Sequence, residues 1–272
     1  MDNNTQIIAV HSAKGGVGKS TMASTLAAGM ATLGLNVALV DTDSQGHASL
    51  LFAMPDENGL YYAMIEKRPL ASVIRPVPFD HYSDLKPPSG SLWLLPSSDL
   101  TYKIPLEIKA DDTFFVLDMF AEMASGLDLD AIIIDTSPSL TGFDGTLWMA
   151  IDWFLFVTEC ERLSADGLVS AIGRMKRFGV QREKYLGRRG RVLGILPNKL
   201  KANTLLQRTV IGQLAEEYQS DVWSPVVDRI AWAEAAYMQK SIFQHQPNGQ
   251  ASKDAWTMVR KAMEVLNVQP RT

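Results

Sequence analysis

The sequence predicts an α/β fold: a mainly parallel, twisted sheet flanked by helices on both faces. Two observations carry that expectation. Short apolar, β-branched runs alternate with longer segments of helical periodicity. Several of the runs are apolar at successive positions rather than at every second one, as strands covered on both faces require. No repeat, low-complexity tract or Gly/Ser linker interrupts the alternation, so residues 1–272 read as one domain.

The strand candidates, in order, are Ile7–Val10, Val37–Val40, Leu92–Leu95, Ile132–Ile134, Phe154–Val157 and Val192–Leu196. The helix candidates are 19–33, 111–125, 164–178, 203–218, 230–239 and 252–266. Strand, helix and strand in sequence imply right-handed crossovers. The stretch from Pro55 to Pro105 holds eight of the thirteen prolines and is expected to run over the surface.

Composition excludes several classes. Hydrophobic residues make up 46% and charged residues 21%, which fits neither a disordered chain nor a membrane bundle. No apolar run approaches the roughly 20 residues of a membrane-spanning helix, and Met1-Asp2-Asn3-Asn4 carries no basic, then apolar, leader. The single cysteine, Cys160, permits neither an intrachain disulfide nor a Cys-rich metal site. A cytoplasmic protein is expected. The net charge of −4 hides a strong polarity: Arg174–Arg208 carries a balance of +10, and Asp111–Asp166 a balance of −11. An acidic protein can therefore still present a basic surface to a polyanion.

After the first strand comes Lys14-Gly15-Gly16-Val17-Gly18-Lys19-Ser20-Thr21, and then an amphipathic helix. Glycines allow conformations closed to other residues and turn successive N–H groups toward one anion. The start of the helix adds its dipole and unpaired N–H groups. The string fits Gly-x4-Gly-Lys-Ser/Thr except at its first position, where Ala13 stands for glycine. Residues 15–21 are thus candidate ATP ligands, with Lys19 on the β and γ phosphates and the Ser20 hydroxyl on Mg²⁺. Lys14, read alone, is equally a solvated loop lysine.

With Lys14 included, the string resembles the deviant Walker A motif of the ParA/MinD family of P-loop ATPases, most of all its ParA-type, Soj-like members. In that family the extra lysine reaches the partner subunit's nucleotide in an ATP-dependent sandwich dimer, so the resemblance gives Lys14 a catalytic role beside Lys19. Other segments resemble family motifs in order. Asp41-Thr42-Asp43-Ser44-Gln45-Gly46-His47 is similar to the switch segment, with Ser44 for the family's proline and His47 for its asparagine. The resemblance implies that Asp43 orients the attacking water and that Asp41 supports the Mg²⁺ shell. Ala131-Ile132-Ile133-Ile134-Asp135-Thr136-Ser137-Pro138-Ser139-Leu140 resembles the Walker B segment, which implies that Asp135 holds Mg²⁺ through water. Leu196-Pro197-Asn198 ends a strand where the family places an asparagine on adenine, and Arg229–Ala235 with Gln239–Phe243 resembles its C-terminal pattern.

The resemblance implies a weak ATPase, stimulated by a ParB-like or cargo-adaptor partner, that partitions DNA or positions cargo. The alternative is a MinD-like, membrane-associated ATPase. Residues Ala255, Met258, Val259, Ala262 and Leu266 form a helical stripe near the end of the chain, but such stripes serve core packing more often than membranes. The basic segment favours non-specific DNA, and hence a nucleoid-associated protein with no membrane contact. Its candidate DNA contacts are Arg182, Lys184, Arg188, Arg189, Arg191, Lys199 and Lys201.

Overall fold

The computed structural model describes residues 5–84, 90–108, 114–137, 143–201 and 205–271. The last residues of the Walker B-like segment, Pro138–Leu140, lie outside them.

Seven strands form one sheet: β1 (Gln6–His11), β2 (Asn36–Asp41), β3 (Arg75–Pro76), β4 (Ser91–Leu95), β5 (Ala131–Asp135), β6 (Trp153–Glu159) and β7 (Arg191–Asn198). Their order is β3-β4-β2-β5-β1-β6-β7, parallel throughout except for the antiparallel pairing of β3 with β4. The six predicted strands are all present. The seventh, β3, is two residues long and half proline; it has no periodicity to read, and Pro76 is tolerated because β3 is an edge.

Because side chains alternate across a strand, each strand feeds two cores. Ile8 and Val10 of β1, with Val37, Leu39 and Ile133, pack on one face against α1 (Lys19–Thr32), α11 (Ile230–Tyr237) and α13 (Gln250–Leu266). Ile7, Ala9, Ala38, Val40, Ile132 and Ile134 pack on the other against α7 (Phe115–Gly126), α8 (Phe143–Ala150), α9 (Arg162–Leu186) and α10 (Leu205–Tyr218). Helix α1 is buried almost all round, at twelve of its fourteen residues. Its Gly29 lies where a Cβ would come 2.5 Å from Val259 Cγ2, so the crossing with α13 needs the missing side chain. The stripe Ala255, Met258, Val259, Ala262 and Leu266 is buried in this contact and offers no apolar face to a bilayer. Among the described residues no helix is long and apolar enough to cross a membrane.

Several helices depart from the sequence expectation. The Pro-rich stretch contains the short helices α2 (His47–Leu51), α3 (Gly59–Met64), α4 (Leu70–Val73), α5 (Phe79–Tyr82) and α6 (Ile104–Glu107), and α12 (Ile242–His245) follows α11. Each is too short for its periodicity to show. Helix α9 runs eight residues past the predicted end, to Leu186, and is closed by Gly187, whose φ of 69° is left-handed and whose N–H donates to Glu183 O. The apolar stripe fades after Phe178, but the inner position one turn later is taken by Arg182. A charged residue at a core position is what concealed this extension.

Candidate nucleotide site

The loop between β1 and α1 supplies the first half of the site. Gly16 (φ 78°) and Gly18 (φ 87°) adopt left-handed conformations that L side chains rarely reach. At Gly18 space also forbids a side chain, since a Cβ would lie 2.5 Å from Asn198 Nδ2. Lys19 opens α1 with its side chain buried, and its Nζ lies 2.7 Å from Asp135 Oδ1.

The parallel register supplies the second half. Asp41 and Asp135 are Cα partners at the ends of β2 and β5, and both are fully buried. Asp41 Oδ1 accepts the Asp43 N–H (2.9 Å) and Oδ2 accepts the Ala48 N–H (3.0 Å), so this carboxylate folds the switch segment onto the strand end. Burial, and then the charge of Asp135, push the Asp41 carboxyl up to about 8. Asp135 Oδ2 is buried with no hydrogen-bond partner among the described residues. An orphaned buried oxygen beside a second carboxylate and the half-buried Ser20 fits a hydrated divalent cation. Asp43 is half-buried, and its Oδ1 accepts the Gln45 N–H at 3.1 Å.

Lys14 is exposed and turned onto its own chain: its Nζ lies 2.6 Å from Glu159 Oε2 and 3.3 Å from Glu161 Oε2. These acids raise its pKa. Burial alone would raise Glu159, but the ammonium groups of Lys14 and Lys199 hold it below the usual carboxylate range. His47 is exposed at the start of α2.

One group escaped the sequence reading. His11, the last residue of β1, is buried edge-on to Trp148 and Phe156. Thr136 Oγ1 donates to Val10 O (3.0 Å), so His11 Nδ1 must be the donor in its 3.1 Å bond to Thr136 Oγ1, which fixes the tautomer. Burial, then the charges of Lys19 and Arg174, lower its pKa to about 4. A lone histidine at a strand end gives no signal of this in sequence. His11, Lys14, Val17, Phe156, Thr158 and Leu168 line a cavity of about 300 Å³ on the α9 side of the loop.

The seven candidate DNA contacts do not form one surface. Arg182 is 1% exposed: its Nε donates to Met149 O (2.9 Å) and its Nη2 to Asp152 Oδ1 (2.6 Å). It is a core residue and cannot touch DNA, a correction to the sequence reading. Lys184, Arg188, Arg189 and Arg191 are exposed at the end of α9 and the start of β7, together with Lys176 and Arg177. Arg188 lies 3.5 Å from Asp152, Arg189 Nε donates to Glu183 (2.8 Å), and the Arg191 guanidinium stacks 3.8 Å over Trp153. Lys199 and Lys201 follow the other end of β7, roughly 26 Å away at about 3.3 Å per residue. Lys199 does not face outward with a basic patch either: its Nζ donates to Gly16 O and lies 3.5 Å from Glu159 Oε1. Asn198 is buried and its Nδ2 donates to Val17 O at 2.7 Å, a bond with which recognition of adenine by this amide would compete.

Residues 5–186 match the family model described as an AAA domain. The chain is 29% identical over 260 residues to the chromosome-partitioning ATPase Soj of Thermus thermophilus, covering 95% of this chain and 94% of that one. It is 25% identical over 252 residues to the sporulation initiation inhibitor protein Soj of Bacillus subtilis, covering 91% and 94%. Among solved structures, an ATP complex of Cyanothece McdA superposes with a TM-score of 0.76 at 15% identity, covering 99% of both chains. A plasmid partition protein from Borrelia burgdorferi superposes with 0.70 at 19% identity, covering 96% and 98%. At such identities the last two likenesses show the fold.

Proposed function

This chain belongs to the ParA/MinD type of AAA-domain P-loop ATPases, and we propose that it hydrolyses Mg²⁺–ATP as a sandwich dimer that binds DNA non-specifically and partitions DNA or positions cargo. The observation that carries the nucleotide chemistry is the convergence of Lys19, Asp135 and Asp41 beneath a loop with two left-handed glycines.

Backbone N–H groups of residues 15–21 and the Lys19 ammonium bind the phosphates, replacing the contact Lys19 now makes with Asp135. Ser20, Asp41 and Asp135 would hold Mg²⁺, directly or through its water, and the cation would supply positive charge against the negative charge of the phosphates. Asp43 orients the attacking water. Lys14 leaves Glu159 and Glu161 to reach the partner subunit's phosphates, where its positive charge offsets the developing negative charge. That exchange of one ion pair for another makes turnover dependent on dimerisation.

For DNA, support comes from the exposed Lys176, Arg177, Lys184, Arg188, Arg189 and Arg191. Lys184, Arg188, Arg189 and Arg191 sit about the N-terminal end of β7, away from the phosphate loop, with Lys176 and Arg177 on α9 before them, so a dimer joined through its loops carries two separate basic patches, and binding strengthens through bivalency. The protein then acts in the cytoplasm on the nucleoid, with hydrolysis stimulated by a ParB-like or adaptor protein.

The experiment is co-sedimentation with DNA and, separately, with anionic liposomes, with and without Mg²⁺–ATP. Nucleotide-dependent retention by DNA that falls at least ten-fold in an Arg188→Glu, Arg189→Glu, Arg191→Glu variant is the expected result. Retention by liposomes alone overturns it.

A further inference from the structure

The last residue of β7 and the residue that follows it grip two adjacent carbonyls of the phosphate loop. Asn198 Nδ2 donates to Val17 O (2.7 Å) and Lys199 Nζ donates to Gly16 O. No peptide in the described chain is cis, and in a trans peptide the C=O and the following N–H point in opposite directions. Fixing the Gly16 and Val17 carbonyls on the β7 side therefore aims the Val17 and Gly18 N–H groups the other way, into the hollow that would receive an anion. Left-handed glycines alone do not choose that orientation, because a Gly-rich segment can flip its peptides at little cost.

Lys199 is built for this position. Its backbone has φ 54°, unusual for a residue with a Cβ and costly without compensation. That turn brings its ammonium back over the loop, where Glu159 Oε1 lies 3.5 Å away and Lys14 holds the other carboxylate oxygen at 2.6 Å. Glu159 thus bridges the lysine that steadies the loop and the lysine assigned above to the partner's phosphates.

We propose that Lys199 is a positioning residue of the ATPase: with Asn198 it pre-orients the loop N–H groups for phosphate, and it makes no direct DNA contact. This rests on the reading of the loop as the nucleotide cradle. Pre-organisation lowers the cost of binding rather than the chemical barrier, so the effect belongs in affinity.

Isothermal titration with a non-hydrolysable Mg²⁺–ATP analogue, beside steady-state hydrolysis, tests it in Lys199→Met, Lys199→Arg and Lys19→Ala. Methionine keeps the Cβ and the strained φ while removing the cation. Lys199→Met is expected to raise Kd about five- to ten-fold, the loss of one partly exposed charged hydrogen bond, with kcat/KM falling by a similar factor and kcat by less than two-fold. Lys199→Arg is expected to restore Kd to within about two-fold of the native protein. An unchanged Kd in Lys199→Met, or equal losses in Met and Arg, overturns the proposal, as does a fall in DNA retention at saturating nucleotide with Kd intact. If Lys19→Ala also binds the analogue normally, the nucleotide reading falls with it; if Lys19→Ala alone loses binding, only the role of Lys199 falls.

Discussion

Lys19 Nζ lies 2.7 Å from Asp135 Oδ1, both out of solvent, joining the first residue of α1 to the last residue of β5. The pair balances a buried charge: Asp135 is fully buried beside its register partner Asp41, whose own carboxyl burial and the Asp135 charge push up to about 8. A ligand that draws Lys19 away leaves Asp135 without its cation unless it brings one of its own, as the magnesium-bound triphosphate proposed above would.

Removing Lys19 alone leaves the buried Asp135 carboxylate uncompensated. Lys19→Met is expected to destabilise the nucleotide-free protein by about 3 kcal/mol, the usual cost of breaking a buried pair from one side. The double variant Lys19→Met, Asp135→Asn should recover more than half of it. Urea unfolding without nucleotide checks this; a single variant as stable as the native protein would refute the pairing. Chelating Mg²⁺ should abolish hydrolysis in the native protein, read as phosphate release.

His11 contributes stability that depends on acid pH. Its folded pKa of about 4 is depressed below the ordinary value of 6.5, chiefly by burial. The unfolded chain thus takes up the proton first as pH falls. The contribution is complete above pH 6.5 and disappears as pH falls through about 4, amounting to about 3 kcal/mol at 1.36 kcal/mol per unit. A His11→Asn variant should show a shallower loss of unfolding free energy than the native protein between pH 6.5 and 4.5. Parallel pH profiles for the two would contradict it.

Arg182 and Arg189 separate fold from surface within one basic segment. Arg182→Ala leaves Asp152 without its closest cation, 2.6 Å away, and frees a buried volume, so a loss of about 3–5 kcal/mol is expected. Arg189, exposed and paired with Glu183, should change stability by under about 1 kcal/mol as alanine. DNA retention should respond to Arg189→Glu, whereas Arg182→Ala should act only through unfolding. Chemical denaturation and co-sedimentation on the same samples distinguish the two.

Much of this was legible in the sequence where a physical constraint acts locally. Runs such as Ile132-Ile133-Ile134 announce buried parallel strands because both faces must be apolar, and Gly16 and Gly18 mark the loop because only glycine takes their φ readily. The end of α9 was not legible. Helical periodicity is read from apolar residues, and the inner position there is Arg182, whose burial depends on Asp152, thirty residues earlier. The edge strand Arg75–Pro76 was hidden because two residues have no period.

The sequence by itself determined the six longer strands, the phosphate loop and the acids Asp41 and Asp135 at strand ends, since each is a matter of residue type at a fixed spacing. Only the tertiary structure decided what the basic segment does. Charge counted along a chain does not say which side chains share a surface, and β7 runs through the middle of that segment. The strand leaves Arg188, Arg189 and Arg191 at one end of the sheet and delivers Lys199 to the phosphate loop at the other, while the packing of α9 draws Arg182 into the core.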